Sequence, residues 1–355
     1  AVFDHKGALL TRGAQFQEDL VIVDLNMQEV FAGRLHDPRR RKEPAGGVPE
    51  VALPVAAQGG SGPVEARVAE PLQETDEVLA ALQLGLRDYV RKNDFQAVVV
   101  GMSGGVDSSV TAALAVRALG PQAVVGVIMP SRFSSPETQA DALRVASNLG
   151  IRTLTIPIEG LHSVYLGALE EVFAGTEPNV AEENIQSRIR GTILMALSNK
   201  FRWLVITTGN KSELSTGYCT LYGDMAGGFA VLGDVTKSMV YQLAGRINQT
   251  ASREIIPQSV LERAPTAELK PNQKDSDVLP PYEILDPILV EYIEGDRSRE
   301  EIISMGYPQE TVDKVIRMVD DAEYKRRQAP PCIRISTRAF GKDRRLPITN
   351  LYPSR

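Results

Sequence analysis

The 355-residue chain is 43% hydrophobic and 24% charged, with a formal net charge of −6. That balance suits a globular protein with a sizeable core and argues against a partner such as nucleic acid or a membrane surface. Cys219 and Cys332, with His5, His36 and His162 far apart, supply no disulfide framework, Cys-rich zinc site or Ser-His-Asp triad, and fit a reducing cytoplasm.

Residues 1–26 read as β structure. Ala1-Val2-Phe3, the turn Asp4-His5-Lys6-Gly7 and then Ala8-Leu9-Leu10 suit a hairpin, and Leu20-Val21-Ile22-Val23-Asp24-Leu25 is a further expected strand. So small a hairpin needs a larger sheet, and Ala1 falls inside a strand-like pattern, so a piece of a longer polypeptide is expected. Residues 36–75, rich in Pro, Gly and Ala around Gly59-Gly60-Ser61-Gly62-Pro63, have linker chemistry. From Glu74 the periodicity becomes helical, with Val78, Leu79, Leu82, Leu84, Leu86 and Val90 on one side.

Strands and helices then alternate. Ala97-Val98-Val99-Val100-Gly101-Met102 is a continuous apolar run, as a buried parallel strand requires. Further strands are expected over residues 124–129, 151–158 and 203–207, with helices over 108–119, 135–149 and 181–201. This order predicts a doubly wound parallel sheet, whose ligands sit beyond the carboxyl ends of the strands where strand order reverses. Beyond Pro271 helices are expected over 282–294, 299–305 and 309–328, followed by a basic tail over 331–355. Short basic runs such as Arg39-Arg40-Arg41-Lys42 read as solvated surface.

The sharpest local signal is Ser103-Gly104-Gly105-Val106-Asp107-Ser108-Ser109, between the first long strand and its helix. Two glycines let the backbone turn tightly against an anion, and the N–H groups at the helix start point at it. An aspartate there would repel phosphate unless a cation lay between, so Asp107 argues for Mg²⁺. The Gly-Lys-Ser/Thr ending of a Walker A loop is missing. The segment resembles the SGGxDS signature of the N-type ATP pyrophosphatases, of the adenine nucleotide alpha hydrolase fold. These enzymes split ATP into AMP and pyrophosphate while adenylating a substrate carbonyl or carboxylate. By itself the loop does not choose among its owners, which include GMP, asparagine and argininosuccinate synthetases and tRNA-modifying enzymes.

Later strings narrow the choice. Glu183-Asn184-Ile185-Gln186-Ser187-Arg188-Ile189-Arg190-Gly191 puts Asn184 and Arg188 one helical turn apart, on one face. Thr207-Thr208-Gly209-Asn210-Lys211-Ser212-Glu213-Leu214 follows the fourth strand, where a ligand should lie. Tyr218-Cys219-Thr220-Leu221-Tyr222-Gly223-Asp224-Met225-Ala226-Gly227-Gly228 suggests a loop closing over substrate. Val235-Thr236-Lys237 follows, and Arg263-Ala264-Pro265-Thr266-Ala267-Glu268-Leu269 and Gln273-Lys274-Asp275-Ser276-Asp277 complete the set. In this order and spacing, residues 76–350 resemble the NAD synthetases. Residues 1–26 look like the last strands of the nitrilase-like glutaminase domain found in their glutamine-dependent form.

The resemblance implies domains at 1–35 (glutaminase strands), 76–330 (synthetase) and 331–355 (tail), joined by the linker. It implies that ATP activates the nicotinate carboxylate of deamido-NAD and that ammonia, drawn from glutamine in whole enzymes, displaces AMP. The glutaminase nucleophile is expected upstream of Ala1, so this chain is expected to lack glutaminase activity. Residue by residue, Gly101, Met102, Ser103, Gly104, Gly105, Val106, Asp107 and Ser108 would form the ATP loop, with Arg190 and Thr208 also on ATP. Asp107 and Glu213 would hold Mg²⁺. Asn184, Arg188, Glu213 and Lys325 would hold deamido-NAD, Lys237 and Thr266 the departing phosphates, and Asp224 would handle ammonia or orient the nicotinate. A homodimer or larger assembly is implied too. The alternatives are another ATP pyrophosphatase, such as GMP synthetase, and an inactive nucleotide-binding or assembly module.

Overall fold

The computed structural model describes residues 1–36, 64–341 and 343–349. Most of the expected linker, the run Arg39-Arg40-Arg41-Lys42 and the end of the tail lie outside the described residues. The chain divides into two units, Ala1–Glu77 and Val78–Arg355.

In the first unit β1 (Val2–Phe3) pairs antiparallel with β2 (Leu9–Thr11). The Asp4 carboxylate fixes the connecting turn by accepting from the N–H groups of Lys6 and Ala8, both at 2.8 Å. The strand expected at 20–25 is absent: Leu20, Ile22 and Leu25 are exposed and the segment has no regular structure. Apolar character alone does not make a strand without a neighbour to pair with. Helix α1 (Met27–His36) follows, unanticipated by the apolar pattern.

Helix α2 (Glu74–Lys92) leads into the second unit, burying Leu79, Leu82, Leu86 and Val90. Next come β3 (Ala97–Gly101), α3 (Val106–Leu119), β4 (Val124–Ile128), α4 (Pro136–Leu149) and β5 (Arg152–Thr155). Helices α5 (Glu159–Phe173) and α6 (Val180–Phe201) precede β6 (Trp203–Thr207), α7 (Lys211–Thr216) and β7 (Phe229–Ala230). The remainder is helical: α8 (Lys237–Ala251), α9 (Gln258–Glu262), α10 (Tyr282–Ile293), α11 (Arg299–Ser304), α12 (Gln309–Asp321) and α13 (Glu323–Arg326).

The sheet is parallel, in the order β5-β4-β3-β6-β7. Strand alternation sends Val98, Val100, Val124, Ile128, Leu204 and Ile206 to the face covered by α2, α3, α4 and α8. Val99, Val125, Val127 and Val205 point to the other face, against Ile185, Ile189 and Leu194 of α6. Both faces are covered, as a doubly wound sheet requires, and continuous valine runs become the interior strands. Strand order reverses between β3 and β6, so the crevice beyond Gly101 and Thr207 is where a ligand belongs.

A second core joins Leu285, Ile288 and Leu289 of α10 to Val312, Val315 and Val319 of α12. Both helices pack on α7 and so support the segment after β6. The expected basic tail is anchored where it is described: the Ala230 N–H donates to the Pro331 carbonyl at 2.9 Å, and Ile333 and Ile335 pack against the main core.

Candidate active site

A cavity of about 300 Å³ opens at the strand-order reversal. Its floor is the segment from Gly101 to Ser108 at the end of β3 and the start of α3. Gly104 adopts φ +82°, and a Cβ there would lie 2.1 Å from the Thr138 carbonyl oxygen. Both conformation and space therefore demand glycine. Gly105 caps α3 with no side chain on the helix N–H groups, which leaves the positive end of the helix facing the cavity. Ser103 Oγ lies 3.2 Å from Ser108 Oγ and accepts from the Gly105 N–H at 3.2 Å. Hydroxyls and amides thus converge on one spot.

Charge is concentrated beside that loop. Lys237 opens α8 behind its cap Thr236 and is 3% exposed. Its Nζ lies 2.5 Å from Asp107 Oδ2 and 3.5 Å from Glu213 Oε1. Local sequence aims both acids. Asn210 and Glu213 form a reciprocal capping box at the start of α7, which turns the Glu213 carboxylate back toward the helix start. The same Asn210 donates its Nδ2 to Asp107 Oδ1 at 2.8 Å. The Lys237 N–H donates to Ser212 Oγ at 3.0 Å, and Ser212 donates to the buried Asp286 at 2.5 Å, so the backbone under Lys237 is fixed too.

These contacts set the protonation pattern. Burial opposes the Lys237 charge, but Asp107 and Glu213 beside it hold its pKa above the ordinary lysine value. Burial, with Asp107 close by, pushes the Glu213 carboxyl upward. Asp275, also buried, accepts from the Tyr282 hydroxyl at 2.8 Å, and its pKa is raised, chiefly by burial.

The opposite wall carries Arg190 of α6, whose Nε donates to the Met129 carbonyl at 3.0 Å. Burial lowers its pKa to about 10 while the charge of Glu268 opposes the shift, so it remains a cation at neutral pH. Asp224 lines the cavity and keeps solvent access there; partial loss of hydration to the surrounding protein pushes its pKa up to about 6 against the hydrogen bond from the Thr220 N–H. Its loop lies tight on α6, because a Cβ on Gly223 would stand 2.3 Å from Ser187 Oγ.

Fourteen of the seventeen site residues expected from sequence line this one cavity: the eight from Gly101 to Ser108, with Arg190, Thr208, Glu213, Asp224, Lys237 and Thr266. The Thr266 hydroxyl donates to the Gln273 carbonyl at 2.6 Å and so shapes its own loop. Asn184, Arg188 and Lys325 are placed outside the lining. They brace the segment before Asp224: Asn184 Oδ1 accepts from Thr220 Oγ1 (2.8 Å), Arg188 donates to the Leu221 carbonyl (3.2 Å), and Lys325 donates to the carbonyls of Gly217 and Cys219 (2.6 and 2.8 Å). Sequence reading gave no role to Asn210, Tyr282 or Thr138. For Asn210 the signal was present, since Asn-x-x-Glu ahead of a helix is a capping pattern that fixes the direction of the glutamate.

Asp107 and Glu213 fit a magnesium ion. Two carboxylates beside a glycine loop at a helix start, completed by oxygens of a ligand and water, would be a donor set that Mg²⁺ accepts. Among the described residues no three His, Cys, Asp or Glu side chains group to hold a metal without such help.

A glycine loop at the carboxyl edge of a doubly wound parallel sheet, feeding a helix start beside paired acids and a buried lysine, defines a nucleotide-binding α/β protein of the adenine nucleotide alpha hydrolase kind. The NAD synthase family model matches residues 78–329, and the chain belongs to that family. It is similar to the glutamine-dependent NAD(+) synthetase of Thermotoga maritima, at 50% identity over 99% of this chain and 61% of that protein. The corresponding figures for the Aquifex aeolicus relative of the same name are 49%, 98% and 61%. The chain thus spans about three-fifths of their length. Among solved structures it resembles a glutamine-dependent NAD+ synthetase from Acinetobacter baumannii in complex with ADP, with TM-score 0.56, 43% identity, and coverage of 81% of this chain and 52% of that one. It also resembles the NMN synthetase from Francisella tularensis, with TM-score 0.61, 26% identity, and coverage of 72% and 98%.

Proposed function

We propose that the chain carries out the ATP-dependent amidation of deamido-NAD to NAD. A nicotinate carboxylate oxygen attacks the α-phosphorus of ATP, the bond to the β-phosphate breaks, and pyrophosphate leaves. Ammonia, drawn from glutamine in the whole enzyme, then attacks the acyl carbon, and AMP departs with the bonding pair. The observation that carries this reading is the convergence of the Gly104–Gly105 loop, the α3 start and the Asp107–Lys237–Glu213 cluster in one cavity. The loop amides and Lys237 would neutralise a leaving polyphosphate, with the two acids available to a cation between them and it.

In this reading the Ser103–Ser108 segment cradles the pyrophosphate, and Lys237 and Thr266 face the departing phosphates. Arg190 and Thr208 contact ATP. Asp107 and Glu213 would hold magnesium, which would supply charge neutralisation to the phosphates. Asn184, Arg188 and Lys325 serve deamido-NAD through the loop they brace, and Glu213 contacts it as well. Asp224, with a pKa near 6, is mostly ionised at neutral pH and suited to accept a proton from ammonium or the attacking amine. Catalysis here is largely positioning and electrostatics, because phosphoryl-type transfer asks little covalent help of a protein.

The enzyme is further proposed to act in the cytoplasm as a homodimer or larger assembly. Exposed Leu161, Val164, Tyr165 and Val172 on α5 support pairing. No helix among the described residues is long and apolar enough to cross a membrane. Incubation with ATP, Mg²⁺, deamido-NAD and either ammonium or glutamine tests the reading. NAD and AMP should form together with ammonium. A folded chain that binds ATP yet forms no NAD from ammonium would overturn it.

A further inference from the structure

We propose that Arg263 is a positioning residue for the leaving pyrophosphate, acting through the carbonyl of Gly104; this rests on the nucleotide reading of the cavity given above. Arg263 follows α9, and its guanidinium acts as a fork. One arm pairs with Asp141 of α4, a carboxylate only 5% exposed that also accepts from Ser259 Oγ at 2.7 Å. The other arm donates to the Gly104 carbonyl at 3.3 Å.

A glycine peptide at φ +82° can turn either way at little cost, so its orientation has to be chosen from outside. Across a trans peptide the carbonyl and the following N–H point in opposite directions. A Gly104 carbonyl held toward Arg263 therefore fixes the Gly105 N–H, which lies on Ser103 Oγ. Ser103 in turn meets Ser108 at the start of α3. One guanidinium thereby sets the amide and hydroxyl pattern presented to the phosphates. Arg263 itself lines the cavity, so it adds a cation anchored on a buried acid rather than free to wander.

The test is calorimetric binding of inorganic pyrophosphate and, separately, of AMP to the full 355-residue chain and to Arg263→Gln, Arg263→Lys and Ser259→Ala. Pyrophosphate affinity should fall about tenfold in Arg263→Gln, the loss expected for one charge-assisted contact, with AMP affinity kept. Arg263→Lys should restore little, because a point charge cannot hold Asp141 and the carbonyl together. Ser259→Ala, which leaves the arm on Gly104 in place, should bind pyrophosphate as the parent does. Should Arg263→Gln fail to fold, Arg263→Lys carries the comparison. A brace of purely structural importance would weaken both ligands in step with the melting temperature, or neither, and either result overturns the proposal. A parent chain that binds neither pyrophosphate nor ATP overturns the nucleotide reading itself, and the inference with it.

Discussion

Replacing Lys237 with Met removes the ammonium shared by Asp107 and Glu213 and leaves an apolar chain of similar length. Lys237 is 3% exposed, and its two partners are 17% and 19% exposed. Breaking a buried ion pair by removing one member costs about 3–5 kcal/mol, and the access of both carboxylates to cavity water puts this case near about 3 kcal/mol. For a unit of this size each kcal/mol moves the melting temperature by about 2–4 °C, so a fall of roughly 6–12 °C is expected. The loss should depend on pH. Burial beside Asp107 already raises the Glu213 pKa above its unfolded value, and losing the ammonium raises it further. A carboxyl raised in this way binds more protons folded than unfolded, so stability falls as pH climbs from the ordinary carboxylate range toward the raised value. Thermal unfolding followed by circular dichroism at about pH 6 and about pH 8 should show the larger deficit at the higher pH. Turnover, read as AMP release, should fall by about 10²-fold or more, as for other electrostatic groups facing a leaving charge. An equal deficit at both pH values would refute the charge coupling, and unchanged turnover would refute the phosphate role.

Other positions separate binding, chemistry and folding. Gly104→Ala places a Cβ 2.1 Å from the Thr138 carbonyl at a positive φ, so ATP affinity measured by calorimetry should fall by at least about tenfold while the chain stays folded. Asp224→Asn should lower kcat by about 10²–10⁴-fold and remove the acid limb of the pH–rate profile, which in the parent should bend near 6 as the carboxylate protonates. Lys211 is fully buried, with Nζ within 2.9 Å of Asp234, Glu294 and Ser336, and it lines no part of the cavity. Lys211→Met should therefore lower the melting temperature while leaving the ATP KM of the folded fraction unchanged.

How much of this could be read from residues depends on how local each feature is. The valine-rich strands and the glycine loop announce themselves, because burial on both faces and a tight turn at a helix start each impose a continuous local pattern. The order β5-β4-β3-β6-β7 carries no local signature, although the alternation of strands and helices confines it to a doubly wound sheet. The contacts of Asn184, Arg188 and Lys325 with the loop before Asp224 had no local signal for a similar reason. A polar side chain one turn from another declares a shared face, but not whether that face meets a ligand or a neighbouring loop's carbonyls. The packing of the tail had no local signal: Ile333 and Ile335 alternate with Arg334 in a basic string, and the core residues they pack against are distant in sequence. Leu20–Leu25 misled instead, apolar in sequence yet exposed and unpaired.

The claim on which all of this turns is that ATP activates the carboxylate of deamido-NAD by direct attack at the α-phosphorus. Deamido-NAD carrying a heavy oxygen isotope in its nicotinate carboxylate tests it, with ATP, Mg²⁺ and ammonium present and the products read by mass spectrometry. The account predicts AMP bearing one labelled oxygen and unlabelled pyrophosphate. Unlabelled AMP, or label in pyrophosphate, would contradict it.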